Sequence, residues 1–188
     1  MGGMAEDSQL ATQAGQGDME AFSMLVAKHQ EAVFNLALRM TGVYQDAEDL
    51  AQDTFLRIHA KLGDSYDPER PFAPWMFAIC LNLVRDHLRK KSRGRKLYEQ
   101  EQPAIEHAPG PEEKVADAQS HHNLGLCLAE LPVSLRGAVV MRYYLDLSFA
   151  DIAAAMGVSL STAKMRVYRG LDKLRAMVGN GAQGGGIL

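Results

Sequence analysis

The side chains best suited to chemistry in this sequence are cationic and polar, and they cluster near the C-terminus. Six of them stand close together, with Met165 among them as a further candidate contact: Ser161, Thr162, Lys164, Arg166, Arg169 and Lys173. Arginine can donate paired hydrogen bonds to the edge of a guanine, and lysine supplies a point charge for a phosphate. The expected chemistry is therefore recognition of DNA, with no catalytic group.

The segment that carries these side chains predicts a helix-turn-helix. Ser148 followed by Asp151 predicts a capped helix start. Gly157 can adopt the positive φ that ends this helix, and Ser159 can cap the next one. Apolar residues at helical steps supply a small shared core: Ile152, Ala153, Met156, Val158, Ala163, Val167 and Leu171. The second helix can then enter a DNA major groove, although a helical hairpin with a solvated basic face is the alternative.

A second cationic face is expected on a helix that starts near Pro74 and extends to about Lys91. Its polar residues recur at short steps: Asn82, Arg85, Arg89, Lys90 and, if the helix continues, Arg93. Tyr66, Phe72 and Trp75 lie nearby in the sequence. Cations along a phosphate backbone, beside rings that stack on bases, suit single-stranded nucleic acid. As an alternative to base stacking, Trp75 could equally belong to the core, and Phe72 could seal the start of the helix.

An acidic row is expected on an earlier helix, opposite its apolar stripe. It consists of Asp46, Asp49 and Asp53, with Gln52 beside them. Such a row is either a solvated face or a docking surface for a positively charged partner.

The charges of the chain are partitioned along its length. The formal net charge is −3, but residues 1–71 hold 12 acidic and 5 basic side chains, whereas residues 72–96 hold 1 and 7. Residues 97–122 hold 6 and 1, and residues 123–188 hold 4 and 7. Two basic blocks separated by an acidic connector indicate two sites for a polyanion.

The cysteines and the lengths of the apolar runs limit the classes of protein to which this chain can belong. Cys80 and Cys127 do not form a disulfide framework, which favours a reducing, cytoplasmic environment. His121, His122 and Cys127 lack an apparent fourth zinc ligand, so neither a metal nor a cofactor is expected. The apolar runs are shorter than the ~20 residues of a membrane span.

Helical periodicity recurs along most of the chain, so the fold class is predicted to be all-α. The first long helix should begin after Asp18, end at Gly42 and bury Phe22, Leu25, Val26, Val33, Leu36, Ala37 and Met40. A second, from about Gln45 to Leu62, should end at Gly63 and bury Ala47, Ala51, Phe55, Ile58 and Leu62. After the third helix, further helices are expected near 113–130, 132–145, 148–156 and 160–178.

Two small helical domains joined by a flexible linker are therefore predicted. Their bounds are a flexible N-terminus at 1–16, a first domain at 17–96, a linker at 97–112, a helix-turn-helix domain at 113–178 and a disordered glycine-rich tail at 179–188.

The sequence leaves two alternatives to a DNA-binding subunit of a larger enzyme. A stand-alone repressor or activator would need a dimerisation surface or a ligand pocket, and neither is visible in residues 1–96. An enzyme such as a DNA invertase would need a catalytic domain, and no strand-rich segment or serine-nucleophile context is visible.

Three segments in order resemble the bacterial extracytoplasmic-function (ECF) sigma factors, the short form with sigma domains 2 and 4. Residues 35–40 and 46–55 are similar to regions 2.1 and 2.2 of the family. Trp75 and residues 82–89 are similar to regions 2.3 and 2.4, and residues 131–175 to region 4. The resemblance covers most of the chain and implies a sigma factor that directs promoter recognition.

The resemblance implies a role for each surface. Asp49, Gln52 and Asp53 would dock on the beta-prime clamp helices of core RNA polymerase, and the beta flap would be a further contact. Residues 63–72 would capture a flipped base of the −10 element. An anti-sigma factor is the family's usual partner and is implied here too.

The same resemblance assigns the cationic faces to promoter DNA. Asn82, Arg85 and Arg89 would hold the opened −10 strand, and the helix beginning near Leu160 would read the −35 duplex. Ala163 and Met165 depart from the family's more usual valine and small polar residue, so the −35 sequence cannot be carried over.

Overall fold

The computed structural model of the chain describes residues 2–97 and 124–183. Regular structure in these two ranges is entirely helical, which confirms the predicted fold class. The helices in chain order are α1 (Gly2–Gly15), α2 (Met19–Thr41), α3 (Tyr44–Ser65), α4 (Phe72–Leu97), α5 (124–130), α6 (Val133–Tyr143), α7 (Phe149–Met156) and α8 (Leu160–Gln183). Apart from Leu97, the predicted linker lies outside the described residues, as do residues 113–123 of the next predicted helix.

Helix α2 begins and ends where the sequence predicted. The Asp18 carboxylate accepts hydrogen bonds from the backbone N–H groups of Glu20 and Ala21, which satisfies two donors at the start of the helix. Gly42 has a φ of 72° and donates its N–H to the Leu38 carbonyl, which ends the helix. The predicted stripe is buried at Leu25, Val33, Leu36, Ala37 and Met40.

Helix α1 differs from the flexible N-terminus that the sequence predicted. Ala11 and Ala14 are buried in its contact with the following helices. Asp7 is buried as well, and its carboxylate lies 2.7 Å from Lys28 Nζ and 3.0 Å from His29 Nε2. The buried face consists largely of alanines among polar residues, so the segment lacks the apolar stripe by which a packed helix is recognised.

Helix α3 continues past Gly63, where the sequence predicted that it would stop. A Cβ at Gly63 would lie 3.1 Å from the carbonyl oxygen of Gly15, and a Cβ at Gly15 would lie 3.1 Å from the Leu62 carbonyl oxygen. These two glycines therefore allow the backbones of α1 and α3 to approach closely. Gly63 serves packing between helices rather than helix termination.

The C-terminal helices form the expected helix-turn-helix, with α6 beneath it. Helix α6 is buried from Arg136 to Met141. Helix α8 extends to Gln183, past the predicted start of the disordered tail at 179, and residues 184–188 lie outside the described part. Gly170 is buried between α8 and α6, where an added Cβ would come within 2.5 Å of Val139 Cγ2. The close approach of these helices explains a glycine inside α8.

The two groups of helices pack against each other in this structure. Helix α6 contacts α2, and α7 contacts α4. Gly137 on α6 fits against Leu81 on α4 and Met40 on α2. The buried apolar side chains consequently run from one predicted domain into the other.

Neither a metal cluster nor a membrane span is found in the part of the chain that the structure describes. No group of three or more His, Cys, Asp or Glu side chains there could hold a metal ion. Residues His121 and His122 lie outside that part. No described helix is long and apolar enough to cross a membrane. Cys80 is fully buried, and burial raises the pKa of its thiol to about 12.

Replacing Gly63 with leucine should destabilise the fold by about 1–3 kcal/mol, because the side chain must displace α1 from α3. Thermal unfolding followed by circular dichroism measures the loss, and hydrogen exchange of the α1 amides shows where it occurs. Ala60→Leu is the matched control, since Ala60 is exposed on the same helix and should change stability by less than about 0.5 kcal/mol. Equal melting temperatures for the two variants would contradict the packing role of Gly63.

Candidate nucleic-acid interface

Capping residues set the ends of the two helices of the helix-turn-helix, α7 and α8. Ser148 accepts a hydrogen bond from the Asp151 N–H, and the Asp151 carboxylate accepts one from the Ser148 N–H. Gly157 ends α7 with a φ of 63°. Ser159 Oγ then accepts a hydrogen bond from the Thr162 N–H at the start of α8. These predicted caps set where α7 ends and where α8 begins.

The predicted core of the motif is present. Ile152, Ala163 and Val167 are fully buried, and Ala153 and Met156 are less than a tenth exposed. The remaining two, Val158 and Leu171, are partly buried against the same core. The opposite side of α8 is therefore left for polar contacts.

Most of the predicted −35 contacts are exposed on α8. The exposed residues are Ser161, Lys164, Met165, Arg169 and Lys173. Thr162 and Arg166 are half-buried, and Arg166 Nη1 lies 3.9 Å from the sulfur of Met156. Arg166 thus differs from the outward orientation that the sequence predicted.

Two aromatic residues outside the predicted set of contacts lie beside this face. Tyr168 is 54% exposed, and its ring centroid is 6.0 Å from that of the half-buried Phe149. Lys164 Nζ lies 5.8 Å from the Phe149 centroid. Tyr168 stands four residues after Lys164, a helical spacing that could have indicated a shared face.

The predicted −10 face lies on α4 with one departure. Asn82, Arg89, Lys90 and Arg93 are exposed, and Arg89 Nη2 pairs with Asp86 at 2.8 Å. Arg85 is half-buried. Burial lowers the pKa of Arg85, and the nearby charge of Arg166 lowers it further.

Of the three aromatic residues predicted to meet bases, Phe72 belongs to the core. It is 1% exposed at the start of α4, so it seals that start and cannot stack on a base. Trp75 is half-buried, 5.2 Å from the Tyr66 centroid and 5.9 Å from the Phe72 centroid. The Tyr66 hydroxyl lies 3.0 Å from Ser8 Oγ and 2.9 Å from the Arg70 carbonyl oxygen. Helix α1 therefore supports the loop that precedes α4.

The acidic row on α3 is present at three of its four predicted positions. Asp49, Gln52 and Asp53 are exposed. Asp46 instead faces α4, where its Oδ2 lies 3.0 Å from His87 Nε2 and 2.8 Å from Lys91 Nζ. Asp46 therefore ties α3 to α4, because it lies in the first turn of α3, where α4 approaches.

The ionisation of Asp46 follows from these contacts. Burial acts to raise the pKa of the Asp46 carboxyl. The hydrogen bonds and positive charges of Lys91 and His87 outweigh it, so that the net pKa is lowered.

An apolar groove of about 910 Å³ runs beside the acidic row, between α2 and α3. Its apolar lining includes Phe22, Val26, Phe34, Ala51, Phe55 and Leu56. The sequence assigned Phe22, Val26, Ala51 and Phe55 to the core, but each is only partly buried, and Leu56 is 69% exposed. The apolar stripes of α2 and α3 are wider than the core can cover. This extra width could have indicated an exposed apolar surface from the sequence alone.

Two cationic faces, one acidic row and one open apolar groove are thus carried by helices alone. The cationic faces suit nucleic acid, and the row and groove suit a protein partner. These features are those expected of a helical DNA-binding protein with a surface suited to a protein partner.

Comparison with known proteins narrows this class. Residues 25–94 match the family Sigma-70 region 2, and residues 121–174 match Sigma-70, region 4. RNA polymerase sigma factor CnrH of Cupriavidus metallidurans is 33% identical, over 92% of this chain and 94% of its own length. ECF RNA polymerase sigma factor SigW of Bacillus subtilis is 29% identical, over 87% of this chain and 91% of its own.

Solved structures agree with the sequence matches. The structure of CnrH with the cytosolic domain of CnrY has a TM-score of 0.70 and 28% identity, and covers 93% of this chain and 98% of that one. The sigma factor RpoE with the anti-sigma factor NepR, from Bartonella quintana, has a TM-score of 0.71 and 25% identity, covering 84% and 96%. The chain belongs to the ECF sigma factors of RNA polymerase.

Replacing Asp46 with asparagine should remove a pH-dependent part of the stability. The pKa of Asp46 is lowered on folding, so its contribution is present above the ordinary carboxyl pKa of about 4 and is lost as the pH falls through the folded value. Above about pH 5, the variant should be less stable by roughly 1 kcal/mol or less, and at low pH the difference should vanish. Urea unfolding at several pH values measures this, with Asp49→Asn, exposed on the same helix, as the control. A difference that does not change with pH would count against the ion pair.

Proposed function

We propose that this chain is a transcription initiation factor that brings core RNA polymerase to a restricted set of promoters. The polymerase supplies the catalysis, and the chain supplies docking, promoter recognition and support for the opened strand.

The docking surface for core polymerase is the acidic row together with the groove. Asp49, Gln52 and Asp53 offer charge complementarity to basic residues of the beta-prime clamp helices. The groove between α2 and α3 can accept apolar side chains of the polymerase. Leu56, on the rim of the groove, is its most exposed apolar residue. Charge steers the encounter and sets its register, whereas burial of apolar area supplies most of the affinity.

The position of this surface supports the proposal most strongly. The groove lies between α2 and α3, and the cationic residues of the −10 face lie on α4. Polymerase and promoter DNA can therefore be bound at the same time by different helices of one unit. A protein that acted on DNA alone would have no need for the acidic row and groove.

Promoter recognition is divided between the two cationic faces. Helix α8 enters the −35 major groove by its N-terminal part, where Arg169 is free to reach a base edge. On α4, Asn82 and Arg89 follow the phosphates of the opened −10 strand. We expect the half-buried rings of Tyr66 and Trp75 to stack on a flipped base, and capture of that base would offset a few kcal/mol of unstacking.

Regulation by an anti-sigma factor is part of the same proposal. The solved structure of RpoE contains the anti-sigma factor NepR, and that of CnrH contains the cytosolic domain of CnrY. A stand-alone regulator is a weaker explanation, because the family matches include both halves of the chain in the order of a sigma factor.

Replacing Asp49 with lysine should weaken binding to core RNA polymerase by roughly tenfold, since one favourable charge becomes a repulsive one. Surface plasmon resonance with immobilised core enzyme measures the change. Asp64→Lys, with the same charge change at an exposed position near the end of α3, is the control. Unchanged affinity in a folded Asp49→Lys protein would reject the acidic row as the docking surface.

Replacing Arg169 with alanine should relax base preference at one −35 position, at a cost of about 1–3 kcal/mol for the preferred base. Lys173→Ala should instead weaken binding to all sequences alike and lower the salt dependence, because lysine there meets phosphate. Binding of a randomised −35 library to the holoenzyme, followed by sequencing, separates the two effects. Identical preference profiles for the two variants would show that Arg169 does not read a base.

A further inference from the structure

Helix α1 is joined to the loop between α3 and α4 by a pair of hydroxyl groups. Ser8 Oγ on α1 lies 3.0 Å from the hydroxyl oxygen of Tyr66, the first residue after α3. The same hydroxyl oxygen lies 2.9 Å from the carbonyl oxygen of Arg70. Burial raises the pKa of Tyr66, so the phenol keeps its one hydrogen, and the carbonyl must receive it because a carbonyl cannot donate. Ser8 therefore donates its own hydroxyl hydrogen to Tyr66.

Helix α1 is itself held on both of the helices that follow it. Asp7 is buried, and its carboxylate is paired with Lys28 and His29 of α2. At the other end of the helix, the backbones of Gly15 on α1 and Gly63 on α3 approach closely. A hydroxyl group on α1 is thus held in place relative to both α2 and α3.

The loop has few other attachments. The Asp67 carboxylate accepts a hydrogen bond from the Glu69 N–H and lies 3.2 Å from Arg70 Nε. These contacts lie within the loop, so they shape it without attaching it to a helix. Among the described residues, the side-chain hydrogen bond from this loop to another part of the chain is that between Tyr66 and Ser8.

The ring of Tyr66 belongs to an aromatic cluster at the start of α4. Its centroid lies 5.2 Å from that of Trp75 and 5.7 Å from that of Phe72. Phe72 is buried, whereas Tyr66 and Trp75 are half-buried and keep part of each ring exposed. Stacking depends on the separation and angle of the rings, so a base can be selected only if both exposed rings are held in place.

We propose that Ser8 is a positioning residue for base capture, in which its hydroxyl holds the Tyr66 ring against Trp75 and so shapes the pocket for a flipped −10 base. Ser8 acts through Tyr66 and needs no contact with DNA. The inference rests on the proposed function, because base capture by these two rings is part of it. It adds a helix that lies outside residues 25–94, the segment that matches Sigma-70 region 2.

Fluorescence of the free full-length chain tests the link between α1 and the loop. Trp75 is the sole tryptophan, so its emission reports on this cluster. Ser8→Ala removes the hydroxyl but favours the helix, so α1 should remain folded, which circular dichroism verifies. Quenching of Trp75 by acrylamide should rise by roughly twofold, because one hydrogen bond no longer holds the Tyr66 ring. Gln9→Ala, exposed on the same helix, should leave the quenching unchanged.

A double-mutant cycle shows whether Ser8 acts through Tyr66. Tyr66→Phe should raise the quenching too. In the Tyr66→Phe background, Ser8→Ala should have no further effect, because the partner hydroxyl is already absent. Ser8→Thr keeps a hydroxyl at this position and should restore the wild-type quenching. Fully additive effects of Ser8→Ala and Tyr66→Phe would contradict the hydroxyl pair.

Base preference measures the consequence for DNA. The holoenzyme is bound to fork-junction DNA with a randomised single-stranded −10 segment, and the bound fraction is sequenced. Ser8→Ala should reduce the preference for the best base at the captured position by about two- to tenfold, as expected for one lost hydrogen bond. Preferences at the other positions should be unchanged. A chain that is only destabilised would instead bind all sequences less well and keep the wild-type preferences.

The inference is overturned if folded Ser8→Ala protein shows the wild-type quenching, or if its quenching changes while its −10 preferences do not. If Ser8→Ala does not fold, Tyr66→Phe decides, since it removes the same hydrogen bond from the loop side. A wild-type holoenzyme without any −10 base preference would instead reject the proposed function, and the effect of Ser8→Ala on Trp75 would remain.

Discussion

The burial of the Arg136 guanidinium is the interaction on which the arrangement of this chain depends. A charged group is costly to remove from water, and the cost is offset here by carbonyl groups that two helix ends leave unpaired. One of those carbonyls belongs to α2, so Nη1 keeps its hydrogen bond only while α6 lies against α2, and the buried Nε has no hydrogen-bond partner among the described residues. The relative position of the two halves is therefore linked to the solvation of a single side chain, and burial lowers the pKa of that side chain.

The same helices serve several surfaces because each buries only part of its circumference. Helix α3 contributes Ala47 and Ile58 to the core, Phe55 to the groove and Asp49 to the acidic row. Its first turn also holds α4 through Asp46. A sigma factor of this length has few helices, and α3 both supports α4 and carries the acidic row and groove that we propose as the docking surface.

Features set by neighbours in the sequence could be predicted, and features set by distant neighbours could not. The caps at Asp18 and Ser148 and the turns at Gly42 and Gly157 depend on residues a few positions away, and they were predicted. The buried core of the helix-turn-helix followed from helical periodicity alone. The roles of exposed residues in docking and base recognition remain predictions.

The errors have a common cause in tertiary packing. Gly63 was expected to end a helix, but α1 lies against it and uses the missing side chain. Phe72 was placed among base-stacking residues, but it is 1% exposed at the start of α4, and the His29 ring of α2 lies 5.6 Å from it. Asp46 shares a helical face with Asp49 in a projection of the sequence, yet α4 reaches only the first of the two. In each case, the decisive partner is distant in the sequence.

The proximity of Arg85 and Arg166 has a consequence for how the chain responds to its surroundings. Mobile ions screen repulsion between partly exposed charges over about 8 Å at physiological ionic strength, and over shorter distances in stronger electrolyte. Dissolved salt therefore reduces the repulsion between Arg85 and Arg166, while it also weakens their attraction to phosphates. The strength of DNA binding at this surface should therefore depend on ionic strength more than the buried apolar contacts around it do.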